Sequence, residues 1–270
     1  MEILIKAKYP ERIICLTEET TETIYEIGAQ DKLVGISKYT VRPAIASKEK
    51  TKVSHFTEAN IKQILSLKPD IVFAWSDLQA NICQQLIKEG VEVVCFNHRS
   101  ISGILSMIKK LGSLIGFNDE SQAYSRTLED RVLSIYQSNI NHTKKPLVYF
   151  EEWFDPLITG IEWVSELVEI AGGREAFPEY AKHSLAKNRI LSSFDEVVER
   201  NPDIMIASWC GKPFRKSRVI ERQNWDEISF VQNEQIYEIA SADILQPGPA
   251  ALTDGLDKLN MIINNWRSAN

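Results

Sequence analysis

The stretch Leu65-Ser-Leu-Lys-Pro-Asp-Ile-Val-Phe-Ala-Trp75 returns later in the chain as Val198-Glu-Arg-Asn-Pro-Asp-Ile-Met-Ile-Ala-Ser-Trp209. In each copy a helix-like segment stops at a Pro-Asp pair, which opens a short apolar run that closes on a tryptophan. Proline disfavours helical backbone for its predecessor, and apolar runs of this length suit a fully buried strand. Two copies this far apart are too widely spaced for a solenoid and point to two similar lobes. Such a chain has a natural ligand position between its lobes. The carboxyl ends of parallel strands, where both tryptophans fall, are also favoured ligand sites.

Outward from this repeat the chain alternates strand and helix. Residues 11–16 form a short buried-strand pattern, and Thr17-Glu-Glu-Thr-Thr-Glu-Thr23 supplies helix N-caps and early carboxylates. Leu33–Ser37 reads as a second strand, residues 60–67 as a helix into the strand Ile71–Trp75, and about 78–89 as a helix ending at Gly90. Residues 91–96 give the next strand. From about Asn118 to Asn141 there is neither glycine nor proline, and Ala123, Leu128, Val132, Leu133 and Tyr136 fall near one stripe. This reads as one long helix joining the lobes, a stiff connector that favours a largely preformed cleft. The pattern then restarts with strand Leu147–Phe150, helix Trp163–Ala171 stopped by Gly172-Gly173, strands at Ile204–Ala207 and Ile236–Ala240, and a closing helix from about Pro249 to Trp266. Repeated strand–helix order implies parallel strands with helical crossovers. The expected fold is α/β: two Rossmann-like lobes with parallel sheets, residues 1–117 and 144–270, joined by a connecting helix over 118–143.

Composition narrows the function. A formal charge of -6 over 270 residues, with scattered lysines, argues against a nucleic-acid partner. Cys15, Cys83, Cys95 and Cys210 show no C-x-x-C spacing, and three lie in or beside apolar runs that suit buried free thiols. No metal site is expected from that spacing. The first residues lack the pattern of a secretory signal, which reads as cytoplasmic as the sequence stands, or as periplasmic or cell-surface if an export signal is missing. No apolar run approaches the roughly 18 residues of a membrane span. The chain is expected to be monomeric.

Candidate site residues gather at strand ends. Trp75 and Trp209 end equivalent strands, so pseudo-symmetry sets them across the cleft from one another as an aromatic clamp for a planar ligand. The ordinary alternative is packing under a loop. Glu151, Glu152 and Asp155 follow a buried strand beside Trp153, and three neighbouring carboxylates repel unless solvated or matched by cations or donors. Glu151 and Glu152 could accept hydrogen bonds from a ligand or act as acid or base, or could simply be solvated charges. With Trp153 and Trp163 they are the second-lobe candidates. Cys210 lies at the strand edge, where a thiolate would need Lys212 or Arg215 to lower its pKa. Ser37, Lys38 and Tyr39 leave a strand at its carboxyl end. There is no G-x-G-x-x-G, P-loop or G-x-S-x-G motif, so nucleotide hydrolysis and serine-hydrolase chemistry find no support.

On Val34-Gly-Ile-Ser-Lys-Tyr39 with Pro43, Leu67-Lys-Pro-Asp-Ile-Val-Phe-Ala-Trp75, Gly160 and Glu169-Ile-Ala-Gly-Gly173, the chain resembles the class III, helical-backbone substrate-binding proteins of the cobalamin and siderophore class. Within that class it is most similar to the cobalamin-binding branch. The resemblance covers nearly the whole chain and implies a corrinoid ligand, with Trp75 against it. It also implies that His55 and Phe56 line the cleft and that the loop of Pro247 borders it. Members that feed an ABC permease carry a docking glutamate on each lobe, and Asn81 stands near the first expected place, which argues against a permease partner. A cytosolic enzyme reusing this cleft, with Glu151 or Glu152 as acid or base, is the alternative reading. A siderophore or haem binder ranks behind both, because a ferric catecholate wants clustered Arg and Lys and the expected lining is acidic.

Overall fold

The structure is a computed structural model that describes residues 8–270. The chain divides into two compact units. The first takes the residues up to His98 together with Ser102–Thr127, and the second takes Arg99–Ile101 together with Leu128–Asn270.

In the first unit, β1 (Ile13–Cys15), β2 (Leu33–Ser37), β3 (Thr51–Ser54), β4 (Ile71–Trp75) and β5 (Val93–Phe96) form one sheet in the order β3-β2-β1-β4-β5. Every pairing is parallel. The order reverses between β1 and β4, the kind of switch point where open α/β sheets leave a crevice beyond the strand ends. β1 and β4 are buried along their whole length, because a parallel strand covered on both faces must be apolar throughout. Ile14, Val72, Ala74, Ile82 and Leu86 share the resulting core.

The second unit repeats the plan. β6 (Leu147–Phe154), β7 (Leu157–Thr159), β8 (Arg174–Glu175), β9 (Ile204–Ala207) and β10 (Ile236–Glu238) give the order β10-β9-β6-β7, with β8 also on β6. β6 pairs parallel with β8 and β9 but antiparallel with β7. The two Pro-Asp strands, β4 and β9, therefore belong to separate sheets.

The repeated Pro-Asp pair has a mechanical role. Lys68 and Asn201, each just before the proline, adopt positive φ of 47 and 45, so the preceding helix ends in a left-handed residue. The following aspartate then fixes the start of the central strand. Asp70 Oδ2 accepts the amides of Glu11 at 2.8 Å and Arg12 at 2.9 Å, and Asp203 Oδ2 accepts that of Leu147 at 2.7 Å. The Asp70 and Asp203 amides return bonds to the Arg12 and Leu147 carbonyls, each at 2.8 Å.

The structure corrects the sequence reading in four places. Residues 150–160 form the β6–β7 hairpin, with Asp155-Pro156 cis at its turn, where the sequence suggests a strand followed by loop carboxylates. β3 lies at a sheet edge with Thr51 and Lys52 exposed, so it lacks an apolar run. Ile101–Ile115 is a helix for which the sequence reading offered no element. Gly112 lets it approach the helix Asn118–Asn139 closely, since a Cβ there would lie 2.2 Å from Ser121. The closing segment starts as a π-helical turn over Ala251–Gly255 before the helix Leu256–Ala269. Among the described residues no helix is long and apolar enough to cross a membrane.

Candidate functional site

At the first sheet's carboxyl edge the expected residues come together. Ser37 is buried and its hydroxyl accepts the Tyr39 amide at 3.2 Å, which turns Lys38 and Tyr39 outward beyond β2. The Lys38 amide donates to the Ser54 carbonyl at 2.8 Å and so ties the ends of β2 and β3 together. Tyr39 and His55 meet edge-on with ring centroids 5.8 Å apart. At the same edge Phe56 meets Trp75 at 6.3 Å, and Trp75 meets His98 at 6.4 Å.

This edge is stitched by Gln79, which is fully buried. Its Oε1 accepts the Trp75 amide at 3.0 Å, and its Nε2 donates to the carbonyls of Phe56 at 2.8 Å and Leu16 at 3.3 Å. No sequence signal marked Gln79, because two of its three partners, Leu16 and Phe56, lie 63 and 23 residues away. Trp75 is 8% exposed and donates through Nε1 to the His98 carbonyl at 3.3 Å. Its indole is thus mostly committed to packing, and the open rings are those of Tyr39, 55% exposed, and His55. Lys38 Nζ lies 3.2 Å from His55 Nε2.

Beside this edge, at the carboxyl end of β1, Glu18 and Glu19 open a helix with buried side chains. Burial pushes Glu18 up to about 8, with the neighbouring Glu19 charge adding to it. Burial raises Glu19 to about 7, opposed by the Thr17 hydroxyl, which donates to Glu19 Oε1 at 2.5 Å. The sequence suggested ordinary first-turn carboxylates here.

The second unit's edge differs from expectation. Glu151 is fully buried and both its oxygens are filled. Oε1 accepts Trp209 Nε1 and Arg222 NH2, each at 2.9 Å, while Oε2 accepts Tyr149 OH at 2.9 Å and Arg222 NH1 at 2.6 Å. With four donors on about four lone-pair positions, it has no capacity left for a ligand or a proton transfer. Glu152 pairs with Arg189 at 2.6 Å. The carboxylates are thus matched by cations, one of the outcomes their crowding allowed. Arg222 and Arg189 could not be paired with them from sequence, lying 71 and 37 residues away.

Trp209 is not the counterpart of Trp75. Trp75 stands five residues after Asp70, whereas Trp209 stands six after Asp203, so Ser208 holds the equivalent position. Successive strand residues face opposite sides, and a shift of one moves the indole to the other face. There it is 5% exposed, packed on Phe154 at 4.7 Å and Phe214 at 5.0 Å, and belongs to the unit's own core. Trp163 is likewise buried and donates to the Ile244 carbonyl at 2.9 Å, a strut beneath the segment that leads to the buried Pro247. Cys210 is exposed beside Gly211.

What this edge shows to solvent is cationic. Lys212, Arg215, Lys216 and Arg218 are exposed, against the exposed acids Asp155 and Glu221. Lys212 Nζ lies 5.1 Å from the ring centroids of both Trp153 and Phe154, and Arg218 Cζ lies 5.3 Å from that of Phe154. Trp153 itself is half-buried, and its Nε1 donates to the Asp155 carbonyl at 2.9 Å. The acidic lining inferred from Glu151 and Glu152 is therefore corrected to a basic, aromatic surface.

Both units reverse their strand order within the sheet and carry polar or aromatic groups at its carboxyl edge. The periplasmic binding protein family model matches residues 13–242, and the chain belongs to that family. It is 24% identical over 249 residues to the vitamin B12-binding protein of Vibrio parahaemolyticus, covering 90% of this chain and 86% of that protein. It is 25% identical to the uncharacterized ABC transporter substrate-binding lipoprotein YvrC of Bacillus subtilis, over 96% and 81% of the two chains. Among solved structures, a possible iron-binding, periplasmic solute-binding protein of Staphylococcus epidermidis superposes with a TM-score of 0.80 at 25% identity, over 95% of this chain and 99% of that one.

Proposed function

We propose that the protein is a solute-binding protein for a planar, tetrapyrrole-type macrocycle, in first place a corrinoid such as cobalamin. The observation that carries this reading is the set of rings at the first sheet's carboxyl edge, where the exposed rings of Tyr39 and His55 meet and where Phe56, Trp75 and His98 pack in sequence. Exposed aromatic faces suit stacking on a macrocycle, and exposed Lys38 adds a polar contact. The vitamin B12-binding name of the Vibrio relative supports the corrinoid. Delivery of the ligand to an ABC transporter, the role in YvrC's name, is extended here to this chain. With it comes work outside the cytoplasmic membrane, the second of the two placements drawn from the sequence.

The enzyme reading has lost its acid–base pair, because Glu151 is saturated and Glu152 is held by Arg189. One observation favours a second ligand class. The basic surface of Lys212, Arg215, Lys216 and Arg218 suits an anionic iron complex or the carboxylates of haem, and the Staphylococcus neighbour is described as a possible iron-binding protein.

The test is gel filtration of the purified protein after incubation with hydroxocobalamin, haemin or a ferric catecholate, read by absorbance. Co-elution of the corrinoid supports the first reading. Retention of haem or the ferric complex alone moves the assignment to the second, and retention of none rejects both.

A further inference from the structure

Cys83 and Cys95 fall on different elements and meet at one place. Cys83 is on the inward face of the helix Ala80–Lys88, with Ile82 and Leu86. Cys95 lies in β5 opposite Ala74 of β4. Both thiols line one open pocket of about 620 Å³ together with Ser76, Gln84, Lys88 and Asn97. They differ in access, since Cys83 is buried and Cys95 exposed. Cys95 Sγ also approaches the Ser76 carbonyl at 3.4 Å. Cys15 is buried inside β1 and Cys210 belongs to the other unit.

We propose that Cys83 and Cys95 form a redox-active dithiol, which closes to a disulfide by exchange with a small-molecule disulfide. The step divides according to exposure. Cys95, open to solvent with Lys88 in the same pocket, loses its proton and attacks one sulfur of the small disulfide, giving a mixed disulfide and releasing one small thiolate. Cys83, deprotonated in turn, attacks Cys95 Sγ, forms the protein disulfide and expels the second small thiolate. Two electrons pass from the protein dithiol to the small disulfide, which leaves as two thiols once protonated.

The order of events has a physical basis. In the reduced protein Cys83 is held well above the usual thiol range, first by its hydrogen bond with Cys95 and then by burial. Cys95 is exposed and Cys83 buried, so the small disulfide reaches Cys95 first and Cys83 is the resolving thiol. Closure would tie the helix Ala80–Lys88 to β5 across the wall of the pocket.

The experiment treats the reduced full chain with excess oxidised glutathione at mildly alkaline pH, then alkylates free thiols and maps peptides by mass. The expected product is a cross-linked Cys83–Cys95 peptide with Cys15 still alkylated. Under the same conditions Cys83→Ser should accumulate a stable glutathione adduct on Cys95. The proposal is overturned if wild-type Cys95 stops at the glutathione adduct. It is also overturned if Cys95 stays unmodified while exposed Cys210 reacts. The readout is independent of any ligand.

Discussion

Replacing Glu151 with glutamine should destabilise the second unit far more than a single polar substitution ordinarily does. The carboxylate is fully buried and its four acceptor positions meet Arg222 twice, Trp209 Nε1 and Tyr149 OH. The amide removes the charge that neutralises Arg222, whose side chain is 8% exposed, and turns one acceptor into a donor facing donors. Breaking a buried ion pair from one side costs about 3–5 kcal/mol, because the remaining charge keeps its desolvation penalty without compensation. Urea unfolding at neutral pH, followed by hydrogen exchange at β6 and β9 amides, should show this loss as a lowered midpoint at unchanged slope. Replacing Arg222 with methionine should cost a similar amount, and a joint apolar replacement of both should cost less than the two singles combined, since no lone charge remains. A loss below about 1 kcal/mol for Glu151→Gln would refute the reasoning, because it would mean Arg222 is solvated or paired elsewhere.

Two further outcomes follow from the same geometry. Burial holds Glu18 and Glu175 up at about 8 and Glu19 at about 7, from the ordinary 4.5. Between those limits the folded chain carries protons that the unfolded chain has released, so stability falls as pH rises from about 4.5 to 8. The urea midpoint should be higher at pH 5.5 than at pH 8.5, and Glu175→Gln should flatten that slope; a midpoint that rises with pH would contradict it. Separately, Lys212→Ala and Arg218→Ala should each weaken an anionic ligand by roughly two- to fivefold at low salt, with the effect fading as salt rises. Fluorescence titration in two salt concentrations checks this, and an equal loss for an uncharged ligand would count against an electrostatic role.

The residues that were legible are those whose environment is uniform along the element. β1, β2, β4 and β9 announce themselves as apolar runs because parallel strands are covered on both faces, and the helix Asn118–Asn139 by its lack of glycine and proline, although of its expected stripe only Leu128 and Val132 are buried while Ala123, Leu133 and Tyr136 are exposed. β3 was hidden by being a half-exposed edge strand, and the β6–β7 hairpin by carboxylates that look solvated in sequence and are internally paired in space. The cluster of Ser37, Lys38, Tyr39, His55, Phe56 and Trp75 could be named from strand ends and family resemblance together. Glu151 and Trp209 were misassigned for different reasons. The Glu151 partner lies 71 residues away, so nothing local reports it. The Trp209 difference was visible in the count, one residue longer from its aspartate than Trp75, and a single step of the pleat moves the side chain to the other face of the sheet.

The central claim is that the rings of Tyr39 and His55 form the macrocycle platform. Hydroxocobalamin should be titrated into the wild type and into the Tyr39→Ala, His55→Ala double variant, with folding of both checked by circular dichroism. These side chains are exposed, so the variant should fold normally, and at about 0.5–1.5 kcal/mol per aromatic contact its affinity should fall roughly 5- to 150-fold. Unchanged corrinoid affinity in a folded double variant would contradict the account.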